Sequence, residues 1–192
     1  YIGFRAPAFG DPSLDALDLA SQLLAGGKGS RLHRRLVRDE RIAQDVAVFT
    51  LPFVGGASVC IGWATVRPGV EVETVERAYL EELARLAGEA PSDDELARAK
   101  ALTEADELGA LARVEERADR LSMYATLCDD PGLINTLLPR YLSVTAEQIR
   151  EAAAAVFRED NRVVLTYLPK PADAGGGDED AHGATTDEEE AA

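Results

Sequence analysis

The residue types used for hydrolytic chemistry are sparse in this sequence. It contains two histidines, His33 and His182, which lie far apart along the chain. A catalytic zinc ion needs three protein ligands and an open position for water, and the motif H-E-x-x-H supplies two ligands from one helix face. Neither this motif nor its inverted form, H-x-x-E-H, occurs here. The sequence therefore predicts no metal site, and we interpret His33 as a surface residue of a helix.

The segment Gly26-Gly27-Lys28-Gly29-Ser30 looks like a phosphate-binding loop. Such a loop follows a strand and has the pattern G-x-x-x-x-G-K-[ST], in which the lysine comes after the last glycine. Here Lys28 precedes Gly29, and the residues before the segment form a helical pattern. We therefore interpret the segment as a tight turn between two helices, in which glycine supplies backbone conformations with positive φ.

The other reactive side chains do not form a recognisable catalytic group. Carboxylates are frequent between residues 93 and 119, but arginines accompany them at helical spacing, which indicates an ion-paired, solvated helix face. Cys60 and Cys128 are not in C-x-x-C spacing, so we predict two buried free thiols. The sequence therefore predicts no catalytic, substrate-binding or metal-binding residue and no cofactor in this chain.

Charge is distributed unevenly along the sequence. The chain has 192 residues, 46% of them hydrophobic, and a formal net charge of −15. Eight carboxylates lie in residues 171–192, which contain no lysine or arginine, and leaving them out reduces the net charge to −7. Neither part has the excess of positive charge that binds phosphates, which argues against nucleic-acid binding. We predict one domain over residues 1–170 and an acidic disordered tail over residues 171–192.

The sequence has no apolar run near the roughly 20 residues of a membrane helix. It therefore predicts a soluble protein without a membrane span, in the cytoplasm or exported. The N-terminus does not look like a signal peptide. Because Tyr1 is not an initiator methionine and already lies in a strand-like run, we expect the chain to be a piece of a longer polypeptide.

The periodicity of apolar residues predicts the element order β-α-α-β-β-α-α-α-α-β. Strands are predicted at about residues 2–6, 43–53, 57–66 and 163–167, and helices fill most of the remainder up to residue 156. Gly55-Gly56 between the second and third strands indicates a hairpin. The predicted fold is therefore α+β with two layers, a mixed and largely antiparallel sheet with helices on one face.

Local signals mark the ends of several helices. They are Asp11-Pro12, an N-cap followed by proline, Ser30 before a short second helix, and two capping boxes, Ser92 with Glu95 and Thr145 with Gln148. One long helix is predicted from residue 92 to about residue 127. Gly109 weakens its middle by about 1 kcal/mol relative to alanine, so a kink or break is expected there. The second half of this helix carries an apolar stripe, Leu111, Val114, Ala118, Leu121 and Ala125.

Several segments resemble, in order, the C-terminal domain of the pitrilysin family of zinc metallopeptidases, which includes insulinase-like enzymes and the mitochondrial processing peptidase. Leu24–Leu36 is similar to the family's glycine-rich turn, Ser-Arg-Leu and following helix. Ile42–Val46 falls where the next strand begins, and Pro91–Lys100 resembles the entry to a long helix. The likeness continues through Asp130–Asn135, Val144-Thr145 and Leu168-Pro169, and so covers nearly all of residues 1–170.

The resemblance implies one half of a clam-shell subunit that is built from two homologous α+β halves. In the family the N-terminal half usually carries the inverted zinc motif and a distal glutamate ligand. Family C-terminal halves often carry an arginine and, seven residues later, a tyrosine that help to hold substrate near the zinc. The corresponding positions here are Val37 and Gln44. Arg38 is one position away, which on a helix is a rotation of about 100°, so it is not assigned this role.

In bacterial two-subunit members, one subunit supplies zinc and the other supplies the arginine and tyrosine. The resemblance therefore implies the C-terminal half of a zinc-bearing subunit, structural and chamber-forming, with zinc held in the N-terminal half of the parent protein. Its expected partners are its own N-terminal half, a homologous partner subunit and an unfolded peptide substrate. The segment alone is expected to be inactive.

Two alternatives stay open. The first is a non-catalytic scaffold or interaction subunit of the same fold, as in the family's respiratory-complex core proteins. The second is an unrelated small-molecule enzyme, which would need a pocket with convergent polar groups.

Overall fold

The computed structural model describes residues 1–168. The elements are β1 Ile2–Ala6, α1 Pro12–Ala25, a π-helix His33–Asp39, β2 Ala43–Leu51, β3 Ser58–Val66, α2 Val72–Gly88, α3 Asp93–Ala112, α4 Val114–Leu127, α5 Leu133–Ser143, α6 Ala146–Val156, a 3₁₀-helix Glu159–Asn161 and β4 Arg162–Val164. The disordered tail predicted for residues 171–192, His182 and the end of the 1–170 domain lie outside the described residues.

The four strands form one sheet in the order β2-β3-β1-β4. All three pairs are antiparallel, and the hairpin predicted around Gly55-Gly56 joins β2 to β3. The α+β prediction with a largely antiparallel sheet is therefore confirmed. The last strand is shorter than predicted, because ladder pairing ends at Val164, although the Leu165 N–H still donates to the Tyr1 carbonyl at 2.9 Å.

The core lies between the sheet and the helices. Ile2, Phe4 and Ala6 of β1 are buried, whereas Gly3 and Arg5 between them point to the other face. Helices α1, α2 and α6 cover the first face and contact one another. The two-layer arrangement follows directly from the period-2 alternation of the strands.

Helix α1 supplies much of the apolar core. Its leucines at positions 14, 17, 19, 23 and 24 are all buried. A helix that is apolar around most of its circumference is buried by its neighbours, and α1 is indeed enclosed by β2, α3, α5 and α6. Because α1 is central, it is the element against which the peripheral helices are positioned.

The predicted helix starts are confirmed at three places. The Asp11 carboxylate accepts the Ser13 N–H at 2.9 Å, with Pro12 at the first helical position. Both capping boxes are formed, at the starts of α3 and α6. Such caps depend on residues within one turn of each other, which is why the sequence predicts them well.

The short second helix differs from the prediction. Residues His33–Asp39 form a π-helix, in which the Glu40 N–H donates to the Arg35 carbonyl at 2.8 Å. Its start has no side-chain cap, and the Ser30 hydroxyl donates to the Gly27 carbonyl at 2.8 Å. That bond closes the glycine-rich turn.

The long helix breaks at Arg113, not at Gly109. Arg113 has extended backbone angles, φ −84° and ψ 133°, while Gly109 stays inside α3 on the surface. Helix α4 then packs against α3, and Arg120 of α4 forms an ion pair with Glu107 of α3. This contact between the two helices accounts for the break, since a straight helix would separate residues 107 and 120 by about 20 Å.

The apolar stripe predicted in this region is largely exposed. Tyr124 is the buried residue of α4, and Val114 is 68% exposed. Among residues 1–168, no helix is both long and apolar enough to span a bilayer.

Candidate functional site

The two positions that correspond to the family's substrate-holding pair do not form a site. Val37 lies on the π-helix and packs against the core. Gln44 is exposed at a β-bulge, where β2 has one more residue than β3 between Ala43 and Asp45. Arg38 points to solvent, and its Nε donates to the neighbouring Asp39 at 2.8 Å. These side chains can neither bind a peptide as an arginine–tyrosine pair nor meet at one point.

Within residues 1–168, no cluster of three or more His, Cys, Asp or Glu side chains could hold a metal ion. His33 lies on the π-helix and is partly buried. Its Nδ1 is buried without a hydrogen-bond partner. The interpretation of His33 as a surface residue is therefore too simple, although the residue belongs to no such cluster.

The two cysteines are free, as predicted. Cys60 is fully buried, and burial raises the pKa of its thiol to about 12. A thiol that stays protonated is a poor nucleophile and a poor metal ligand. Cys128 at the end of α4 is only partly buried, so the prediction that both thiols are buried holds for Cys60 alone.

The glycine-rich segment is a turn whose glycines have local structural reasons. Gly27 has φ +75°, which favours glycine. A Cβ atom at Gly26 would overlap the side chain and carbonyl of Gln22. The interpretation as a helix-to-helix turn accounts for both residues without a phosphate.

A charged cleft of about 450 Å³ lies between the π-helix and α2. Arg35 at its centre contacts three carboxylates, Glu40 at 2.7 Å, Glu81 at 2.6 Å and Glu82 at 3.1 Å. The hydrogen bonds that the Arg35 guanidinium donates to these carboxylates raise its pKa further. Glu82 is only 4% exposed in its side chain. The ion pairs of Arg35 with Glu81 and Glu82 thus hold the π-helix against α2.

A second ion pair anchors the glycine-rich turn. The Arg31 guanidinium donates two parallel hydrogen bonds of 2.8 Å to the Glu95 carboxylate, and the Arg31 side chain is 8% exposed. Glu95 also accepts the Ser92 N–H at 3.1 Å in the capping box of α3. The hydrogen bonds from Arg31 are the main reason that the pKa of Glu95 falls to about 2. One carboxylate therefore joins the turn to the start of α3.

The sheet face opposite the helices is a candidate surface for contact with another molecule. The strand register and its alternation place apolar side chains there, and we call them the open sheet face: Tyr1, Ala47, Phe49, Leu51, Val59, Ile61, Trp63 and Val163. None belongs to the core or packs against it, whereas Val46, Val48 and Ala64, which point the other way, do. The helices of the described chain therefore leave this face uncovered.

Aromatic rings run across the open sheet face. The Trp63 ring lies 6.2 Å from Tyr1 and 5.5 Å from Phe49, measured between ring centroids. The Tyr167 ring, just beyond β4, stands edge-on to Tyr1 at 5.4 Å. Rings from or beside all four strands thus form a row, with Val163 73% exposed beside it. Such a surface gives an apolar or aromatic side chain of another molecule many contacts.

Sequence reasoning missed the open sheet face as a unit. The alternation of residues predicts half-buried strands, but the row depends on which residues of different strands stand opposite each other. Ala47 faces Trp63, and Phe49 faces Ile61. The hairpin signal could have given part of this register, because the turn position fixes the pairing of β2 with β3.

Comparisons with known proteins converge on one family. The profile of the family described as the peptidase M16 inactive domain matches residues 1–103. A candidate zinc protease from Bordetella pertussis Tohama I is similar over 88% of this chain and 92% of its own, with 25% identity and a TM-score of 0.76. The inactive peptidase domain of a candidate zinc protease from Bordetella parapertussis is similar over 90% and 92%, with 26% identity and a TM-score of 0.74.

A longer protein shares the fold. A protease from Helicobacter pylori superimposes on 84% of this chain with a TM-score of 0.77 and 23% identity. The chain spans only 38% of the length of that protease. No curated protein matches the sequence significantly.

Proposed function

Because the chain belongs to the peptidase M16 inactive-domain family, we propose that it is the non-catalytic C-terminal half of a zinc peptidase subunit. The zinc ion would be held by the N-terminal half of the parent protein. Two features support this proposal: residues 1–168 contain no cluster of metal-ligand side chains, and Val37 and Gln44 stand where family members that hold substrate carry arginine and tyrosine. Its contribution to proteolysis would therefore be structural.

The open sheet face is the observation that carries the proposal. An apolar face that the chain's own helices leave uncovered is expected to meet another surface or a ligand. In a chamber-forming subunit this face would be one wall of the chamber. Unfolded peptides expose apolar and aromatic side chains, and these would pack on the ring row of Tyr1, Trp63 and Phe49. Such contacts are weakly directional, which suits a peptidase that accepts varied sequences.

The same proposal assigns the partners. The domain would pack against its own N-terminal half and, in a two-subunit enzyme, against a homologous subunit that supplies the arginine and tyrosine missing here. The sheet wall would then face the zinc site across the chamber.

The first test compares the chain alone with the parent protein. Residues 1–192 should bind no stoichiometric zinc and cleave no peptide, whereas the parent protein with its partner subunit should do both. Metal content by mass spectrometry and hydrolysis of a quenched fluorescent peptide measure these outcomes. Zinc-dependent cleavage by residues 1–192 alone would disprove the proposal. A parent protein that binds no zinc and has no H-x-x-E-H motif would favour the scaffold alternative.

The second test examines the wall itself. In the active parent enzyme, the variants Trp63→Thr and Phe49→Thr should lower kcat/KM for long unfolded peptides by several-fold, mainly through KM, because they remove contacts far from the reacting bond. Peptides too short to reach the wall should be cleaved as before. Leu108→Thr is the matched control, since Leu108 is 53% exposed on α3, away from the sheet. Equal losses for long and short peptides would contradict a wall that binds substrate.

A further inference from the structure

A cluster of carboxylates lies where α5 packs on α1. Asp15 and Asp18 are one turn apart on α1, and Arg140 and Tyr141 are adjacent on α5. We call these four residues the α1–α5 seam. The Arg140 guanidinium is 2.7 Å from the Asp15 carboxylate, and the Tyr141 hydroxyl donates to the Asp18 carboxylate at 2.8 Å. Two polar contacts thus join elements that are more than 120 residues apart in sequence.

The seam has more negative than positive charge. Arg140 pairs with Asp15, so Asp18 has a neutral phenol as its hydrogen-bond partner and no guanidinium. Glu107 of α3 adds another carboxylate to the surroundings of Asp18. A carboxylate in this position must either stay charged at a cost in solvation or take up a proton.

The remaining neighbours of Asp18 do not supply the missing positive charge. Arg120 of α4 is paired with Glu107. On the sheet side, Thr50 contributes a hydroxyl whose oxygen is buried without a hydrogen-bond partner. Cys60 contributes a buried thiol that stays protonated, since burial raises its pKa to about 12. Burial also raises the pKa of Asp15, but the Arg140 guanidinium opposes this rise, so Asp18 is the carboxylate of the seam without a cationic partner.

Helices α4 and α5 have few other anchors on the body of the domain. Their buried side chains are Tyr124 and Leu137, and Tyr124 stacks on Phe9 at 6.1 Å between ring centroids. One further polar contact is the hydrogen bond from the Lys100 ammonium to the Leu142 carbonyl, at 2.7 Å. Segments with little buried apolar surface open first, at a free energy below that of global unfolding. The contacts of the α1–α5 seam should therefore contribute much of the free energy that opposes this opening.

We propose that the α1–α5 seam is a proton-operated latch, which holds helices α4 and α5 on the body more tightly at acidic pH than at neutral pH. This inference is independent of the chamber function proposed above. Its physical basis is that opening exposes Asp18 to water, where its negative charge is solvated, whereas closing returns it to a site that disfavours the charge.

The direction of the pH dependence follows from the half-buried position of Asp18. Desolvation there raises the pKa of Asp18 to about 6, the hydrogen bond from Tyr141 opposes this rise, and the charges of Asp15 and Glu107 add to it. In the open state the pKa returns to about 4. The raised value means that the closed state binds the proton more tightly. The contribution of Asp18 to the stability of the closed state is therefore complete below pH 4. It decreases as the pH rises from 4 to 6 and is lost above that.

The experiment measures amide hydrogen exchange of residues 1–192 between pH 4.5 and 7.5, corrected for the intrinsic exchange rate. Protection of amides in α4 and α5 should fall about 25-fold across this range, as pKa values of about 4 and 6 require. Protection in β1 and β3 should be higher at every pH, because those amides exchange only through larger openings. In Asp18→Asn, protection of α4 and α5 should depend on pH much less than in wild type, with Asp15 as the remaining seam carboxylate of raised pKa, and should be higher than wild type at pH 7.5. Asp119→Asn on the exposed side of α4 should behave as wild type.

The outcomes separate a latch from a purely structural role. A wild-type profile in α4 and α5 that is flat would overturn the proposal, and so would protection there that equals that of β3 at every pH, since these helices would then open only with the whole domain. So would an Asp18→Asn profile that keeps the wild-type pH dependence. If Asp18→Asn does not fold, Tyr141→Phe provides the test. This variant removes the hydrogen bond that favours the charged Asp18 carboxylate, so the pKa of Asp18 should rise. The fall in protection should therefore move to higher pH. An unmoved midpoint in Tyr141→Phe would contradict the latch.

Discussion

At the scale of single residues, the Arg31–Glu95 contact combines an ion pair with a helix cap. We expect Glu95→Gln to lower the free energy of unfolding at pH 7 by about 1.5–3 kcal/mol, the usual contribution of hydrogen bonds between charged groups. Glutamine can still accept the Ser92 N–H in a capping box, so the loss reports on the ion pair. Urea denaturation measures it. The control is Glu147→Gln, which removes a solvent-screened pair with Arg150 and should cost less than Glu95→Gln does.

The same variant has a defined pH dependence. The pKa of Glu95 is lowered to about 2 in the folded chain, chiefly by the hydrogen bonds from Arg31. A lowered pKa contributes stability that is complete above the unfolded value of about 4.3 and is lost as the pH falls towards 2. The stability difference between wild type and Glu95→Gln should therefore shrink between pH 4.5 and pH 2. A difference that is constant over this range would contradict the role assigned to the pair.

Gly62 is required by the close approach of a helix to the sheet. A Cβ atom at Gly62 would overlap the Tyr79 hydroxyl, which donates to the Ala47 carbonyl at 2.7 Å. We expect Gly62→Ala to destabilise the fold by about 1–3 kcal/mol, because the ring cannot move without breaking this bond. Thermal unfolding with circular dichroism measures the loss. Gly56→Ala in the hairpin is the control, since a Cβ atom there meets nothing within 4 Å.

A double variant tests the cause of that loss. In Gly62→Ala with Tyr79→Phe the overlapping hydroxyl is absent, so the two costs should be less than additive by about 1 kcal/mol. Strictly additive costs would show that the alanine acts through the backbone and not through Tyr79.

At the scale of elements, the fold of α4 against α3 depends on the Arg120–Glu107 contact. Both side chains are only partly exposed. We expect Arg120→Met to lower the free energy of unfolding by about 1 kcal/mol and to increase hydrogen exchange in α4 more than in the sheet. Arg113→Met is the matched control, because Arg113 is 58% exposed and pairs only with Glu116 of its own helix. An equal effect of the two variants would contradict the assignment.

The elements also show where sequence reasoning succeeds and where it stops. Asp11-Pro12 and the Ser92–Glu95 box predict helix starts, because the partners lie within one turn. The π-helix is not predicted, since Leu32 and Leu36 fit an α-helix equally well. The break at Arg113 is not predicted either. Gly109 has the weaker helix propensity, but the contact between α3 and α4 decides the position, and propensity is often overridden by tertiary contacts.

At the scale of the whole molecule, the open sheet face governs how the isolated domain behaves. We expect residues 1–192 to self-associate at high concentration through this face, because exposed apolar patches promote association. Trp63→Thr should weaken that association, with little change in stability. Sedimentation velocity over a concentration series measures it. Leu108→Thr, which removes a single exposed leucine elsewhere, should associate as wild type does. Loss of association in both variants would show that the sheet face is not the contact.

The candidate site could be predicted only in part from the sequence, because it depends on contacts between distant segments. The sequence shows that it contains neither zinc motif, since its two histidines lie far apart. It does not show that Tyr1, Trp63 and Phe49 lie in one row, because that depends on the strand order. β1 pairs with β3, about 60 residues later, and with β4, about 160 residues later. Such pairings are set by the assembled core and not by local signals.

The bulge at Gln44 and the π-helix before it have a consequence for how chain length can vary. A π-helix holds one residue more per turn than an α-helix, and the bulge holds one more than a regular strand. Both occur between residues 33 and 45, ahead of the regular pairing from Asp45 to Leu51. Loss of one residue here can be absorbed by tightening the π-helix or straightening the bulge, whereas loss at Val48 would reverse the faces of half the strand. In related sequences, alignment gaps should therefore fall before Asp45 and spare the hairpin.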